Sequence, residues 1–531
     1  MKKYTTIFLL GVASVACTDL DVKPKGTAVS DVVFSDPASY RSFLAKLYAG
    51  LAVTGQQGPS GDADIKGIDE GASDYIRGYW NLQELTTDEA VMTWNDGTIQ
   101  TLHAHTWTSQ SEFINGVFNR FFYQISLANQ FLRETTDAKL AERGVTDDMK
   151  ATIQTYRAEA RLLRALSYWH SIDMFGNVPF VTEEDAVGKA APKQADRATV
   201  FNYIESELKD IEGALVAPRK NEYGRADQAV AWTLLAKLYL NAKIYINQER
   251  YTDCITYCNK VITSGAYSLH STYANLFKAD NNLNNPEGIF MITYDGLHTQ
   301  TYGGTNFLVH ASIGGDVMVG TNYGVDSGWG GIRTTKNLVD KFPDVTGTAD
   351  KRAIFFTTGQ TKEITDKPNF GFTQGYAMTK WQNKTSTGAT GSNPAYADTD
   401  FPMFRLADVY LMYAEAVLNN GTGGSAATAL DYVNQIRTRA YGNTNGNISQ
   451  GQLTLSFIID ERSRELYWEG HRRTDLIRFG LFTDSDANDA RALWPWKGDV
   501  AAGKETEKFR DLFPLPSSQI IAAKLDQNDG Y

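Results

Sequence analysis

The sequence predicts a mostly α-helical protein, in which stacked helical hairpins form a right-handed scaffold and long loops with a few short strands carry a ligand site. Apolar residues recur at helical spacing over long stretches, and two pairs of such stretches share one spacing. Between the helical stretches lie segments rich in Gly, Asn, Asp, Thr and aromatic residues, chiefly 55–110 and 265–405. Loops that long inside a compact protein are usually functional.

The N-terminal residues have the pattern of an export signal. Lys2 and Lys3 precede an apolar run over residues 7–15, and small residues lead to Cys17. This pattern predicts a bacterial lipoprotein signal peptide over residues 1–16 rather than a membrane span. Cys17 would then become the acylated N-terminus and attach the protein to a membrane through lipid. The alternative is an ordinary cleaved signal and a soluble periplasmic protein.

Composition excludes several other classes of function. The chain has 62 acidic and 51 basic residues, and its net charge of −11 without a basic cluster argues against binding nucleic acid or anionic lipid head groups. The seven histidines lack the spacing of zinc ligands, so we expect neither a metal site nor a cofactor. The one exception left open is a structural Ca²⁺ in the Asp- and Asn-rich loop 280–285.

The first helices follow from capping and periodicity. Ser35-Asp36-Pro37 predicts the start of a helix, since proline is tolerated in a first turn. Apolar residues in register predict a second helix over about 111–134 and a third over about 150–175, which ends at Gly176.

Two later hairpins have tetratricopeptide spacing. Trp232, Leu235, Ala236 and Tyr239 fit the first helix of such a repeat, and a second helix follows around residues 254–261. Residues 406–440 repeat the spacing around a tight turn at 420–421. Stacking such hairpins buries one face of each against its neighbours. This assignment explains the two remaining cysteines as small core residues.

We therefore divide the mature chain into an N-terminal helical region, 18–240, and a C-terminal region, 241–531, packed as one compact unit. The second region contains loops 265–405, which include a β-like run at 288–293. We expect recognition in these loops and in 60–100, with the helices as scaffold.

Several motifs together match one family. They are the mature start at 17–21, the charged helical segment 157–169 with Phe175-Gly176 after it, the segment 459–480, and the last residues 527–531. In this order they resemble the SusD/RagB family of cell-surface glycan-binding lipoproteins of Bacteroidota. The resemblance covers nearly the whole chain. It implies a lipid-anchored protein on the extracellular face of the outer membrane, which passes its ligand to a SusC-like TonB-dependent transporter.

Segment 459–480 carries charges that could be mistaken for a catalytic centre. Glu465, Glu469, Arg472, Asp475 and Arg478 lie three or four residues apart. Opposite charges at this spacing form ion pairs along a helix, and inside a large protein such a network holds one packing arrangement. We interpret the segment as structural.

A glycan site needs flat aromatic rings for the C–H faces of sugars and polar groups for their hydroxyls. The resemblance extends to the loops of the family's starch-binding founder. It implies that Trp94, Tyr302 and Trp329 form a stacking platform and that Arg77 and Asp69 hold sugar hydroxyls. The alternatives are that the aromatic residues are core and that Asp69 and Arg77 form a loop-stabilising salt bridge.

The same loops depart from the founder in two ways. The founder has a further tryptophan where this chain has Met92, and its polar amide falls where this chain has Asn95-Asp96-Gly97, about one residue shorter. The platform would then have lost one ring, and Asn95 or Asp96 would replace the amide.

The sequence leaves three candidate functions open. The first is a non-catalytic receptor for starch-like α-glucan or for another polysaccharide. The second is a glycoside hydrolase, which needs two carboxylates across a cleft; Asp69, Glu70, Asp88, Glu89 and Asp316 are candidates, although no motif ranks them. We otherwise interpret Asp88 and Glu89 as capping or loop hydrogen-bonding residues. The third function is a pure scaffold that only contacts the transporter.

Overall fold

The structure is a computed structural model that describes residues 33–185, 188, 191–367, 371–484 and 489–531. The predicted signal at 1–16 and the predicted lipid attachment at Cys17 lie outside the described residues. Within these ranges the α-helices are α1 Ala38–Ala52, α2 Tyr75–Glu84, α3 Gln100–Ala104, α4 Glu112–Glu134, α5 Asp137–Glu142, α6 Asp147–Phe175, α7 Arg197–Ile211, α8 Gln228–Leu240, α9 Ala242–Ile246, α10 Tyr251–Thr263, α11 Gly304–Ala311, α12 Lys336–Val339, α13 Leu406–Leu418, α14 Ala426–Tyr441, α15 Leu455–Leu466, α16 Arg472–Arg478 and α17 Ser517–Ala523. The strands are β1 Ala90–Met92, β2 Val178–Phe180, β3 Lys193–Ala195, β4 Gly288–Ile292, β5 Ile332–Thr334, β6 Phe355–Phe356, β7 Ala377–Met378 and β8 Phe401–Arg405.

The first helices agree with their sequence signals. Helix α1 begins directly after Pro37, and Asp36 accepts a hydrogen bond from the amide of Ala38 at 2.9 Å. Helices α4 and α6 lie within three residues of their predicted bounds. Thr146 caps α6, and Gly176 ends it at a positive φ of 71° that glycine adopts without a steric cost.

The helices stack as a series of neighbours. Helix α6 packs between α4 and α7, α10 packs between α8 and α13, and α13 also packs on α14. The predicted mostly helical fold is confirmed. Cys254 and Cys258 are buried free thiols in α10, 4.0 Å apart at Sγ, which agrees with their interpretation as core residues. The right-handed sense of the stack and its tetratricopeptide class remain predictions.

Segment 55–110 is more regular than its composition indicates. It contains α2, β1 and α3, and α2 is almost wholly buried between α4 and α11. Asp74 caps α2 by accepting a hydrogen bond from the amide of Arg77 at 2.8 Å. The prediction of an irregular segment is wrong for 75–84, because tertiary burial and this cap stabilise a helix inside a stretch rich in Gly, Asp and Thr.

The strands form two-stranded antiparallel ladders. Strand β4 pairs with β8, and β1 pairs with β5, in which Ala90 lies opposite Thr334, 244 positions away in the sequence. The predicted β-like run at 288–293 is confirmed as β4. In the described part of the chain, no helix is both long and apolar enough to span a bilayer.

Residues 459–480 belong to a buried charge network. The carboxylate of Glu469 is fully buried and lies 2.6 Å from Nε of Arg405 and 2.7 Å from Nζ of Lys380. Arg405 also binds Glu465 at 2.6 Å and Glu287 at 2.8 Å. Most of these partners come from other elements, so the ion pairs run between segments rather than only along one helix. The burial of these ion pairs agrees with the interpretation that segment 459–480 is structural.

Buried titratable groups, in the network and outside it, make folding sensitive to acid. Burial alone would raise the pKa of Glu465, but the charges of Arg439 and Arg405 lower that pKa to about 2. Burial lowers the pKa of His103 to about 4. The pKa values of unfolded Glu and His are about 4.3 and 6.5. Both groups therefore bind fewer protons in the folded protein than in the unfolded chain.

We expect the free energy of unfolding to fall steeply as the pH decreases below about 4.5, where carboxyls of raised pKa such as Asp74 are already protonated. The contribution of His103 is fully present above its unfolded pKa of about 6.5 and is lost as the pH falls toward about 4. The contribution of Glu465 is lost between about pH 4.5 and 2, where the decline becomes steep. Guanidinium denaturation followed by tryptophan fluorescence at pH 7, 4 and 3 measures this. Equal midpoints at pH 7 and pH 3 would contradict it.

The loop that could hold Ca²⁺ uses its side chains for internal hydrogen bonds. Asp280 accepts hydrogen bonds from the amide of Ser386 at 2.7 Å and from its hydroxyl at 2.6 Å. The Asn281 amide donates to the carbonyls of Leu276 and Asp400, both at 2.8 Å. Among the described residues, no cluster of three or more His, Cys, Asp or Glu side chains has metal-site geometry.

Candidate functional site

The β1–β5 ladder brings together two predicted platform residues that are 235 positions apart. Trp94 follows β1 and Trp329 precedes β5. The amide of Thr93 donates to the carbonyl of Gly331 at 2.8 Å, which extends the ladder by one residue. The indole Nε1 of Trp94 then donates to the carbonyl of Trp329 at 3.2 Å. Backbone pairing therefore sets the relative position of the two indoles.

Tyr302 is held beside them by the start of α2. The Nη1 of Arg77 donates to the carbonyl of Tyr302 at 3.1 Å. Asp74 receives the amide of Gly304 at 2.9 Å in addition to that of Arg77. Burial raises the pKa of Asp74 to about 6. Gly304 has a φ of 53°, and a Cβ there would lie 2.1 Å from the Tyr294 hydroxyl, so only glycine fits.

Four rings form a continuous arc, which we call the aromatic arc: Trp94, Trp329, Tyr302 and Tyr396. Centroids of successive rings are 6.5, 6.1 and 5.8 Å apart, at interplanar angles of 41°, 61° and 45°. The hydroxyls of Tyr396 and Tyr302 are 3.3 Å apart. The structure thus brings the three predicted aromatic residues together and adds a fourth ring.

The two tryptophans of the arc are more exposed than most tryptophans of the chain. Seven of the ten tryptophans are buried. The three that are half-buried are Trp94, Trp329 and Trp232, and Trp232 lies apart in the helical stack. Tyr302 is 38% exposed. Trp494 and Trp496, near the C-terminus, are both buried and serve packing.

Arg77 is the cation of this site. Its guanidinium lies 4.4 Å from the Phe307 ring centroid and 5.9 Å from that of Trp94. Burial lowers the pKa of Arg77 to about 10, although the nearby charges of Asp69 and Asp96 raise it. Among the described residues no carboxylate lies within 4.0 Å of the guanidinium, and its buried Nε has no hydrogen-bond partner. Apart from the bond to the Tyr302 carbonyl, no hydrogen bond among the described residues occupies the Nη donors of Arg77.

The polar residues predicted around the arc occupy its rim. Asp69 is exposed, and its carboxylate accepts a 3.3 Å hydrogen bond from the amide of Ala72. The alternative of a salt bridge between Asp69 and Arg77 is not what the structure contains, because Arg77 bonds to the Tyr302 carbonyl instead. Asn95 and Asp96 are exposed directly after Trp94. The sugar-contacting roles of these residues remain predictions.

Met92 lies beneath the arc. It is the last residue of β1, is 3% exposed and pairs with Ile332. A Cβ on Gly331 would lie 2.9 Å from the Met92 sulfur and 2.5 Å from the Trp94 ring. The side chain at position 92 therefore supports the indole of Trp94 from the protein side.

His310 supports Trp329 from behind. The imidazole and indole stack with centroids 4.6 Å apart and an interplanar angle of 20°. Nδ1 of His310 donates to the carbonyl of Ser327 at 2.7 Å, and the amide of Trp329 donates to the carbonyl of His310 at 2.8 Å. Burial lowers the pKa of His310, so the stacked ring is neutral.

Two residues of this site were not found from the sequence. Tyr396 lies in a Gly-, Ser- and Pro-containing segment far from the other arc residues, and His310 carries no motif of its own. Only the segment's length and aromatic content pointed toward Tyr396, within the broad range 265–405. The spacing of residues along the sequence does not show which side chains contact Tyr396 or His310.

Two of the acidic residues considered for catalysis are buried in ion pairs. Asp88 is fully buried and lies 2.6 Å from Arg472 and 3.0 Å from Lys341. Glu89 is 1% exposed and accepts a 2.5 Å hydrogen bond from Ser463. The interpretation of Asp88 as a capping or loop residue is wrong: it pairs with cations contributed by distant segments.

Stacked helices and a half-exposed aromatic arc define the class of this protein: a helical protein with an aromatic surface site. A family model described as "SusD family" matches residues 357–531, and another described as "Starch-binding associating with outer membrane" matches residues 65–240. The chain is 34% identical to the starch-binding protein SusD of Bacteroides thetaiotaomicron over 587 aligned positions, covering 100% of this chain and 99% of that protein. The chain belongs to the SusD/RagB family.

Solved structures have the same fold. A SusD superfamily protein from Parabacteroides distasonis matches with a TM-score of 0.71 at 22% identity, over 93% of this chain and 99% of that chain. Surface glycan-binding protein A from Bacteroides thetaiotaomicron, solved with laminarihexaose, matches with a TM-score of 0.69 at 19% identity, over 92% of this chain and 99% of that chain.

Proposed function

We propose that this protein is a non-catalytic receptor that captures starch-like α-glucan at the cell surface. The observation that carries the proposal is the aromatic arc, with four successive rings and beside them a guanidinium that no carboxylate of the described residues contacts. Support comes from the 34% identity to a relative named as starch-binding. The structural neighbour solved with laminarihexaose adds an example of a glycan ligand on this fold.

The chemistry of the arc suits a curved saccharide chain. Pyranose C–H faces pack on aromatic rings, and each good ring contact contributes roughly 1 kcal/mol beyond plain burial. Successive rings of the arc are rotated by 41° to 61°, so they match a chain that turns rather than a flat ribbon. Arg77 would donate to sugar hydroxyls, and Asp69, Asn95 and Asp96 would accept or donate at the rim.

The receptor would act on the outer membrane and with a partner. We infer that Cys17 carries lipid, which holds the protein on the extracellular face, and that a SusC-like TonB-dependent transporter receives the glycan. Support comes from the matching family description "Starch-binding associating with outer membrane". Co-purification of a TonB-dependent transporter from detergent-solubilised outer membranes tests the partnership, and isolation of the protein alone would contradict it.

The receptor does not require bond cleavage. A glycosidase needs one carboxyl as acid and a second about 5–9.5 Å away across the substrate. Asp88 and Glu89 are buried in ion pairs and hydrogen bonds, so they cannot flank a glycan on the arc. Incubation with maltoheptaose followed by chromatography should return the intact oligosaccharide, and shorter products would favour the hydrolase.

Isothermal titration with maltoheptaose, laminarihexaose, xylohexaose and a fructan tests the proposed ligand. We expect maltoheptaose to bind best, with a Kd of about μM to mM, which is about −8 to −4 kcal/mol. Best binding of another glycan would replace starch as the ligand and keep the receptor function. Failure to bind any of the four would favour the pure scaffold.

A glycine under the arc provides a test that removes no ring. We expect Gly331→Ala to weaken maltoheptaose binding about fivefold or more, because a Cβ at 331 would lie 2.5 Å from the Trp94 ring and would displace it. The measurement is the Kd by titration. Gly213→Ala is the matched control, since nothing lies within 4 Å of a Cβ there. Equal affinity in both variants would show that the position of Trp94 does not matter.

A further inference from the structure

An exposed tyrosine lies between two cavities outside the arc. Tyr223 is 48% exposed in the turn 222–225, between α7 and α8. On one side the turn lines a cavity of about 370 Å³ against α1, and on the other a cavity of about 200 Å³ toward β4. The larger volume falls in the range of small-molecule sites, about 300–1,000 Å³.

The ring of Tyr223 is anchored although it is exposed. Its hydroxyl donates to Oδ2 of Asp400 at 2.7 Å, and the other oxygen of Asp400 accepts the amide of Tyr294 at 2.7 Å. Asp400 is 1% exposed. Gly224 brings the turn so close to β4 that a Cβ would lie 2.6 Å from the Thr293 methyl group. A ring held in this way loses little freedom on binding.

The larger cavity has the mixed lining that a sugar requires. Leu44, Ala45 and Ala49 of α1 contribute apolar surface, while Thr293 and Thr299 contribute hydroxyls. The rim carries Glu222, which pairs with Arg41 at 2.8 Å in an exposed position. An apolar wall with an aromatic ring and hydroxyls at the edge matches the C–H face and the hydroxyls of a pyranose.

This cavity and the aromatic arc share one loop. Thr299 lines the cavity, and Tyr302 of the arc follows three residues later. Three residues span at most about 11 Å when fully extended. One polysaccharide chain can therefore contact both places.

We propose that the cavity beside Tyr223 is a second saccharide-binding site, which holds another stretch of the same polysaccharide chain that the arc binds. The inference rests on the proposed glycan-binding function. A long chain can occupy both sites at once, whereas a short chain occupies one. Once the arc has bound the long chain, its binding at the second site is intramolecular, so the long chain binds more tightly. Short oligosaccharides that fill only the arc gain nothing from the second site.

The test compares Kd values for maltoheptaose and soluble amylose in the wild type and in Tyr223→Ala. We expect the wild type to bind amylose, per chain, about tenfold or more tightly than maltoheptaose, and we expect Tyr223→Ala to lose most of this ratio. Tyr223→Phe keeps the ring without its anchor to Asp400 and should retain part of the ratio. Ile521→Ala is the control, because Ile521 is 81% exposed and far along the chain in α17.

The outcomes separate the two proposals. If Tyr223→Ala keeps the full wild-type ratio and Ile521→Ala does too, the second site is wrong while the arc stands. If the wild type binds neither maltoheptaose nor amylose, the proposed function itself fails. A lowered melting temperature in Tyr223→Ala with an unchanged ratio would assign the Tyr223–Asp400 bond to stability alone, which also overturns the second site.

Discussion

Replacing Trp329 by alanine is expected to weaken maltoheptaose binding by about 2 kcal/mol or more, which is roughly thirtyfold in Kd. Trp329 is the second ring of the arc and contacts both Trp94 and Tyr302, with centroids 6.5 and 6.1 Å away. Its removal would leave a gap in the middle of the platform. Isothermal titration measures the loss.

The change isolates the ring because the backbone holds its neighbours. The Trp94 indole donates to the carbonyl of residue 329, which alanine also supplies. Trp329→Phe keeps an aromatic face and should lose only a few-fold in affinity. Trp232→Ala is the matched control, since it removes a half-buried tryptophan from the helical stack. If Trp232→Ala weakened binding as much as Trp329→Ala, the arc would not be the site.

Replacing Glu469 by alanine is expected to destabilise the fold by about 3–5 kcal/mol, the usual cost of removing one partner from a buried ion pair. Glu469 is 1% exposed and binds both Arg405 and Lys380. Burial already lowers the pKa of Lys380 to about 8 even with this carboxylate present. Without Glu469 the ammonium of Lys380 would be buried, and no other carboxylate in the described part of the chain pairs with it.

The test measures stability and binding together. Guanidinium denaturation should give a lower midpoint for Glu469→Ala, with Glu469→Gln between it and the wild type. At a temperature where it is folded, Glu469→Ala should bind maltoheptaose with a Kd within about twofold of the wild type, because the carboxylate pairs with Arg405 and Lys380 and not with a residue of the arc. Lys150→Ala, which breaks an exposed pair with Asp147, should leave the midpoint unchanged. Selective loss of binding in Glu469→Ala would contradict the structural role.

Long periodic helices and their caps were predictable because their signals are local. The end of helix α6 at Gly176 was predicted, and periodicity placed its start at about 150, three residues after the observed start at Asp147 that Thr146 caps. Helix α2 was missed because nine of its ten residues are buried by packing partners such as α4 and α11, which lie elsewhere in the chain. Local composition at 55–110 indicates loop, and tertiary packing overrides it.

The candidate site was predictable only as far as resemblance to the family extends. Trp94, Tyr302 and Trp329 were predicted by that resemblance and do meet in the structure. Tyr396 and the supporting ring of His310 were not, because no spacing relates them to the others. The half-buried cation of Arg77 was expected to contact either sugar or Asp69, and its bond to the Tyr302 carbonyl could not be foreseen.

The amino-acid sequence alone determined that helices dominate, which residues form the buried helix faces, and which family the motifs match, because periodicity, caps and motifs act over a few turns of chain. The tertiary structure alone decided which charges pair and which rings share a surface. Those contacts join residues such as Arg405 with Glu469 and Trp94 with Trp329, which are 64 and 235 positions apart. Only the packing of distant segments brings such groups within hydrogen-bond distance.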